Sequence, residues 1–339
     1  MAEPEIVDQI QHDAVDLEDG WNQYRDYLRR PEIAGGVCEK SAKKYAGIVK
    51  KFFRFAHSHG VTKWNNVTTR FTENYLRHLS NKNYADRTIY SEGTFIKQIT
   101  KWMIGEEILP ATCMIKLKLK KVHGTNTYCW KQQEVTVMIR HCRQSQKLKW
   151  LGDIIVALAH TGQRISELAN LRWSDVDFEH GLIWITNDRS NGTSGRPARR
   201  TKNRCDRSIP IHGVLLTVLG GIPKSNDGFV FRGPRNGKLK PDVVRVAFIR
   251  DVIKPLKERF PTAEGAIGFE NGRLHSFRHF FCSASANAGT PEAVMMSWLG
   301  HKSSAMLRHY YHLNNSEAQQ QIGRIAFTCG TLDPEDEDE

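Results

Sequence analysis

The last third of the chain gathers residue types that make an unusual set. Arg273-Leu-His275-Ser-Phe-Arg278-His279 is followed by Leu299-Gly300-His301, and then by Arg308-His309-Tyr310-Tyr311-His312. An arginine clamps a phosphate with two donors of one planar fork and stays charged. A histidine moves a proton near neutrality, and a tyrosine hydroxyl can attack as a nucleophile. Phosphodiester cleavage without a metal needs a nucleophile, cationic donors on the nonbridging oxygens and an acid for the departing sugar oxygen. The set therefore points to phosphoryl transfer on nucleic acid. Arg164 and Arg278 both fall near expected helix N-termini, where backbone N–H groups add to an anion site. The spacing of acids and histidines does not suggest a Mg or Zn site, so neither a metal nor a cofactor is expected.

These residues need elements to hold them. Leu151, Ile154, Ile155 and Leu158 mark a buried helix that stops at Thr161-Gly162, with Gly as terminator. Arg164 follows, in the first turn of a short helix. Residues 175–186 alternate and turn at His180-Gly181, which is a hairpin signal. Arg207–Ile211 reads as a third strand, with Pro210 favouring a sheet edge. Between the second and third strands lies a polar loop, residues 187–203, carrying Arg189, Arg196, Arg199, Arg200 and Lys202. Val244, Phe248 and Val252 share a helical stripe. A further helix is expected from Ser276 to Gly289. Thr290-Pro291 starts another, with Thr as cap and Pro in the first turn, ending at Gly300 beside His301.

The first third is helical throughout. Tyr45, Ile48, Val49, Phe52, Phe53 and Ala56 follow the i, i+3, i+4 rule, with Lys43, Lys50, Lys51 and Arg54 on another face. Ile89, Ile96, Ile99 and Met103 form a second stripe, and Tyr75, Leu76 and Leu79 a shorter one. Lys116-Leu-Lys118-Leu-Lys120-Lys121 then runs into polar residues and reads as an extended connection whose charges suit a phosphate track.

Charge sharpens this picture. The chain has 339 residues, 49 Lys and Arg, and 37 Asp and Glu. Seven of the acids lie in residues 1–20 and six in residues 333–339, with no Lys or Arg in either stretch. The body between them therefore carries 49 bases against 24 acids, as expected of a nucleic-acid-binding surface. The seven cysteines are scattered and never in C-x-x-C spacing, which argues for a reducing compartment rather than a disulfide framework. No apolar run is long enough to span a membrane and no secretory start is visible. The expected location is cytoplasmic, associated with DNA in the nucleoid. The expected organisation is an acidic extension over 1–20, an all-α DNA-binding domain over 21–115, a basic linker over 116–127, a catalytic domain over 128–332 and an acidic tail over 333–339. The fold class is mainly α, with one small antiparallel β-sheet in the catalytic domain.

Four motifs in order carry a family resemblance: Thr161-Gly-x-Arg164-Ile-Ser-Glu167-Leu, Lys202-Asn-Arg-Cys-Asp-Arg-Ser-Ile-Pro, His275-x-x-Arg278, and Leu-Gly-His301 followed nine residues later by Tyr310. Together they strongly resemble the tyrosine recombinase (phage integrase) family. The resemblance implies Arg164 and Arg278 as a phosphate clamp, His275 and His301 as hydrogen-bonding and proton-handling groups, and Lys202 as the acid for the 5′-oxygen. Arg199 or Arg200 could share that last role, because the loop before Lys202 is longer and more basic than is usual in the family. Glu167 would orient a neighbouring catalytic group, or be only an i, i+3 partner on an exposed helix. Tyr310 would form a 3′-phosphotyrosyl link; Tyr311 points about 100° away on a helix, and the step from His301 favours Tyr310.

The implied function is site-specific recombination of double-stranded DNA for integration, excision or resolution, by a homo-oligomer that is a tetramer in the synaptic complex, with no membrane. A type IB topoisomerase-like enzyme and a non-catalytic DNA-binding regulator are the alternatives. Beyond Tyr310, Ala318, Ile322 and Ile325 form an apolar helical stripe that either folds back on its own domain or docks on a neighbouring protomer.

Overall fold

The computed structural model describes residues 13–122, 127–186 and 206–300. It divides into two compact units, Met1–Thr125 and Asn126–Glu339.

The first unit is a helical bundle of α1 (Leu17–Leu28), α2 (Glu39–Ser58), α3 (Thr69–Asn81) and α4 (Asp86–Gly105). Each is amphipathic, and their apolar faces meet in a core containing Leu17, Tyr24, Phe52, Trp64, Tyr75, Ile96, Ile99 and Met103. On α2 the buried stripe is Ile48, Val49, Phe52, Phe55 and Ala56. Phe55 rather than Phe53 completes it, because Phe55 lies seven residues, two turns, beyond Ile48. The α3 start is capped by Thr68, whose hydroxyl accepts the Phe71 N–H at 3.1 Å.

The basic face expected on α2 is divided. Lys43, Lys50 and Arg54 are exposed, and Lys43 pairs with Glu39 one turn away. Lys51 instead turns inward to Glu92 of α4, whose carboxylate also accepts the Tyr75 hydroxyl at 2.5 Å. Glu92 is 2% exposed, so Lys51 is its counter-charge and serves the fold. In the basic segment after α4, Lys116, Lys118, Lys120 and Lys121 are exposed while Ile115 is buried, and Leu117 packs on the helical core. The Lys116 N–H donates to Thr69 Oγ1 at 2.9 Å, and Lys97 donates to the Leu117 carbonyl. Up to Val122 this segment lies along the helical unit.

The second unit is built around α6 (Lys149–Thr161), which packs against α5 (Gln132–Arg143), α8 (Gly213–Gly220) and α11 (Ser276–Asn287). Between α6 and α8 come the short α7 (Ile165–Leu168) and a three-stranded antiparallel sheet of β1 (Val176–Asp177), β2 (Leu182–Ile185) and β3 (Arg207–Pro210), in that spatial order. Ile183 pairs with Ile209 and Ile185 with Arg207. The β1–β2 turn falls at His180-Gly181 as the pattern requires, with the Asp177 carboxylate accepting the His180 N–H at 3.0 Å. β3 lies at the sheet edge, where Pro210 is tolerated.

α9 (Pro241–Phe248) runs through a π-turn (Ile249–Ile253) into α10 (Lys254–Leu256). Pro255 has no N–H for the carbonyl four residues back. That carbonyl, on Asp251, accepts instead from His141 Nε2 at 2.9 Å. α11 ends two residues before the expected Gly289. α12 is Glu292–Leu299, so Pro291 takes the cap position expected of Thr290. Among the described residues no helix is long and apolar enough to cross a membrane.

Candidate active site

The site grows from the end of α6. Gly162 adopts φ +60°, the left-handed conformation that ends a helix. A Cβ there would also lie 2.7 Å from Phe281 and 2.9 Å from Leu299. The turn is thus pressed against α11 and α12, and only glycine fits both the angle and the space. Two residues later Arg164 occupies the cap of α7.

Glu167, three residues on, is 7% exposed in its side chain, so the reading as an exposed helix partner does not hold. Its carboxylate accepts the Arg164 backbone N–H at 3.0 Å, Arg164 Nη1 at 2.9 Å and Arg207 Nη2 at 2.6 Å. Burial would raise this carboxyl, but Arg207 and then Arg164 hold it below its ordinary value. It therefore stays an anion.

Arg278 lies on the first turn of α11, 4% exposed. Its Nη1 donates to the Gly162 carbonyl at 2.8 Å and its Nη2 to the Leu299 carbonyl at 2.7 Å. Burial, then the charge of Arg164, pulls this guanidinium down to about 10, with Arg207 adding to the effect and Glu167 opposing it. Arg278 remains protonated at neutral pH. Two guanidiniums, those of Arg164 and Arg207, bond the carboxylate of Glu167, and that of Arg278 lies close enough to feel its charge. Among the described residues this cluster carries more positive than negative charge, which suits it to an anion.

The structure thus brings together Arg164, Glu167 and Arg278. His275 stands at the cap of α11, one turn before Arg278, exposed and with its ring 5.1 Å from that of His279. Lys202, Arg199, Arg200, His301, Tyr310, Tyr311 and the stripe of Ala318, Ile322 and Ile325 lie outside the described residues. The described chain leads up to two of them. Arg207 begins β3 five residues after Lys202, and Gly300, φ +64°, directly precedes His301.

Arg207 is the residue that sequence reasoning missed. A signal was present: in a strand, alternate residues share a face, and Arg207 lies on the side of the buried Ile209. A charge placed inward needs a partner, and Glu167 supplies it. In the helical unit, Lys44 and Arg87 line a groove beside α2 and α4 with Lys121, Tyr90 and Gln98. The acids Asp175 and Asp177 have local roles, Asp175 capping the Arg172 N–H at 2.8 Å and Asp177 closing the hairpin turn. Among the described residues no group of three or more His, Cys, Asp or Glu could hold a metal ion.

Comparison with known proteins decides the family. Residues 130–317 match the phage integrase family, and residues 22–107 match the phage integrase N-terminal SAM-like domain. The chain belongs to the phage integrase family. It is a tyrosine recombinase, of a class of DNA-cleaving and DNA-joining enzymes. The tyrosine recombinase XerC of Pediococcus pentosaceus is 22% identical over 306 residues, covering 88% of this chain and 94% of that protein. In fold, the recombinase is similar to the Tn1549 transposon integrase, solved in complex with a circular intermediate DNA (TM-score 0.70, 16% identity, 92% of this chain and 100% of that one). It is also similar to lambda integrase, solved as a tetramer bound to a Holliday junction (TM-score 0.67, 17% identity, 88% of this chain and 78% of that one).

Proposed function

We propose that this recombinase cleaves duplex DNA by attack of the Tyr310 hydroxyl oxygen on a backbone phosphorus. The new P–O bond to tyrosine forms as the P–O5′ bond breaks, leaving a 3′-phosphotyrosyl link and a free 5′-hydroxyl. The tyrosine proton passes to a histidine, His275 or His301, and Lys202 donates a proton to the departing 5′-oxygen. Rejoining is the reverse attack by a 5′-hydroxyl. The bond energy is kept in the covalent link, so neither ATP nor a cofactor is required. Arg164 and Arg278 hold the nonbridging oxygens and stabilise the charge that gathers there.

One observation carries this reading: two arginines 114 residues apart in sequence meet around Gly162 and Glu167, in a cluster where, among the described residues, positive charge outweighs negative. The Arg164 guanidinium makes no hydrogen bond among the described residues beyond that to Glu167, so further donors remain for a phosphate. Lys43, Lys50, Arg54, Lys116, Lys118, Lys120 and Lys121 are exposed cations suited to tracking the backbone on either side. The similar lambda integrase forms a tetramer on a Holliday junction, and strand exchange here would use the same number of protomers. The stripe of Ala318, Ile322 and Ile325 would dock on a neighbour.

The test is a nicked suicide duplex that traps the covalent adduct. Tyr310→Phe should bind the duplex and form no adduct. An undiminished adduct in Tyr310→Phe, together with its loss in Tyr311→Phe, would move the nucleophile by one residue. Truncation of the chain after Asn315 removes Ala318, Ile322 and Ile325. It should spare binding to one half-site and abolish cooperative filling of paired sites.

A further inference from the structure

Arg207 does more than neutralise Glu167. Its side chain is 4% exposed. Its Nη2 donates to Glu167 Oε2 at 2.6 Å and its Nε donates to the Trp298 carbonyl at 2.8 Å. The first bond reaches α7, whose cap is Arg164. The second reaches the last turn of α12, where helix carbonyls lack partners of their own and a cation is favoured by the helix dipole. Just beyond, Gly300 passes over the same side chain: a Cβ there would lie 3.2 Å from Arg207 Cδ and 3.4 Å from Nη1. Arg207 itself begins β3, fixed in register opposite Ile185. Three chain segments, leading to Arg164, Lys202 and His301, therefore converge on one guanidinium that is committed to protein acceptors and shielded from solvent.

We propose that Arg207 is a positioning residue for cleavage, which locks the Glu167–Arg164 pair, the base of the Lys202-bearing hairpin and the end of α12 into a single frame. The two oxygens of Glu167 divide the work. Oε1 takes Arg164 Nη1, and Oε2 takes Arg207 Nη2 and the Arg164 backbone N–H. With Arg207 gone, Glu167 would keep Arg164 as its remaining cationic partner. The carboxylate would then be free to turn, draw the Arg164 guanidinium towards itself and away from a phosphate. The α12 terminus would lose the bond that sets the height of Gly300 beside the sheet. Arg207 does not touch DNA on this account; it acts through Glu167 and through α12. The inference rests on the reading of Arg164 as a phosphate ligand.

The test uses the full chain in single-turnover cleavage of a nicked suicide duplex at saturating DNA. The variants are Arg207→Met, Arg207→Lys, Glu167→Gln and the double variant Arg207→Met with Glu167→Gln. Arg207→Met should bind DNA within about twofold of wild type, while cleavage falls about 100-fold, the scale of an angstrom-sized misplacement of a reacting group. The double variant should lose less than the product of the two single losses, because both remove the Glu167–Arg207 link. Arg207→Lys, which keeps the charge and one of the two bonds, should lie in between. If Arg207→Met does not fold, as judged by its thermal transition, folded Arg207→Lys decides the matter: a slowed rate with unchanged DNA affinity supports the proposal.

A wild-type cleavage rate in folded Arg207→Met or Arg207→Lys would overturn it. So would losses that multiply in the double variant. Arg164→Lys, measured alongside, separates the two failures. If Arg164→Lys is slow and the Arg207 variants are normal, the clamp stands and only the positioning role is lost. If Arg164→Lys is normal, the clamp and the inference built on it both fall.

Discussion

Glu167→Gln keeps the shape of the side chain and removes its charge, which isolates what the carboxylate does. In the structure it is 7% exposed and accepts from Arg164 twice and from Arg207 once. A carboxamide offers one acceptor oxygen and one donor group. Whichever way it turns, its NH2 faces an arginine N–H, and one guanidinium loses its partner. Removing one member of a buried ion pair costs about 3–5 kcal/mol. Because the retained oxygen can still accept from one arginine, the lower end, about 3 kcal/mol, is expected. For a unit in the range of about 150–250 residues this corresponds to a fall in Tm of about 6–12 °C. Cleavage should fall about 100-fold as Arg164 loses its anchor, with DNA affinity nearly unchanged because exposed phosphate contacts dominate it. Denaturant and thermal melts measure the first effect, and single-turnover adduct formation the second. A Glu167→Gln protein as stable as wild type and equally fast would refute the whole account of the arginine cluster.

The same carboxylate sets a pH signature. Its folded value lies below its ordinary 4.5, so its contribution to stability is complete above that value and is lost as the pH falls through the folded value. The stability gap between wild type and Glu167→Gln should be widest near neutrality and close in acid. Arg164→Lys and Arg278→Lys should each lose about 3–4 kcal/mol of transition-state stabilisation, several hundred-fold in single-turnover rate, because lysine lacks the fork; near-normal rates in both would rule out the clamp. Lys202→Ala should cleave ordinary DNA slowly and a 5′-bridging phosphorothiolate, whose sulfur needs no proton to leave, at close to the wild-type rate; equal impairment on both would pass the acid role to Arg200 or His275. In the helical unit, Lys50→Met should weaken DNA binding and lower its salt slope by about one. Lys51→Met should instead show its effect in thermal melts, since it strips the counter-charge from buried Glu92; the reverse pattern would return Lys51 to the DNA-facing set.

Much of this protein follows from local pattern. The stripes Ile96-Ile99-Met103 and Val244-Phe248-Val252 are buried as their spacing requires, because a helix face is set by residues three and four apart and needs no distant partner. Gly162 and Gly300 end helices where the sequence says they should, since a left-handed terminus is a local demand that glycine meets. The order of Arg164, Glu167, His275 and Arg278 is likewise legible as a motif. Their division of labour was not. Glu167 could be an exposed helix partner or a residue that orients a neighbouring group, and its burial depends on Arg207, 40 residues away. Arg207 in turn reaches Trp298 across 91 residues, and Arg278 reaches Gly162 across 116. Lys51 reads as one more cation on a basic face until α4 brings Glu92 beside it, 41 residues on. Sequence periodicity says which face of an element is apolar. Which buried charge finds which partner is decided only when the tertiary fold removes water from both and leaves each the other as its remaining source of compensation.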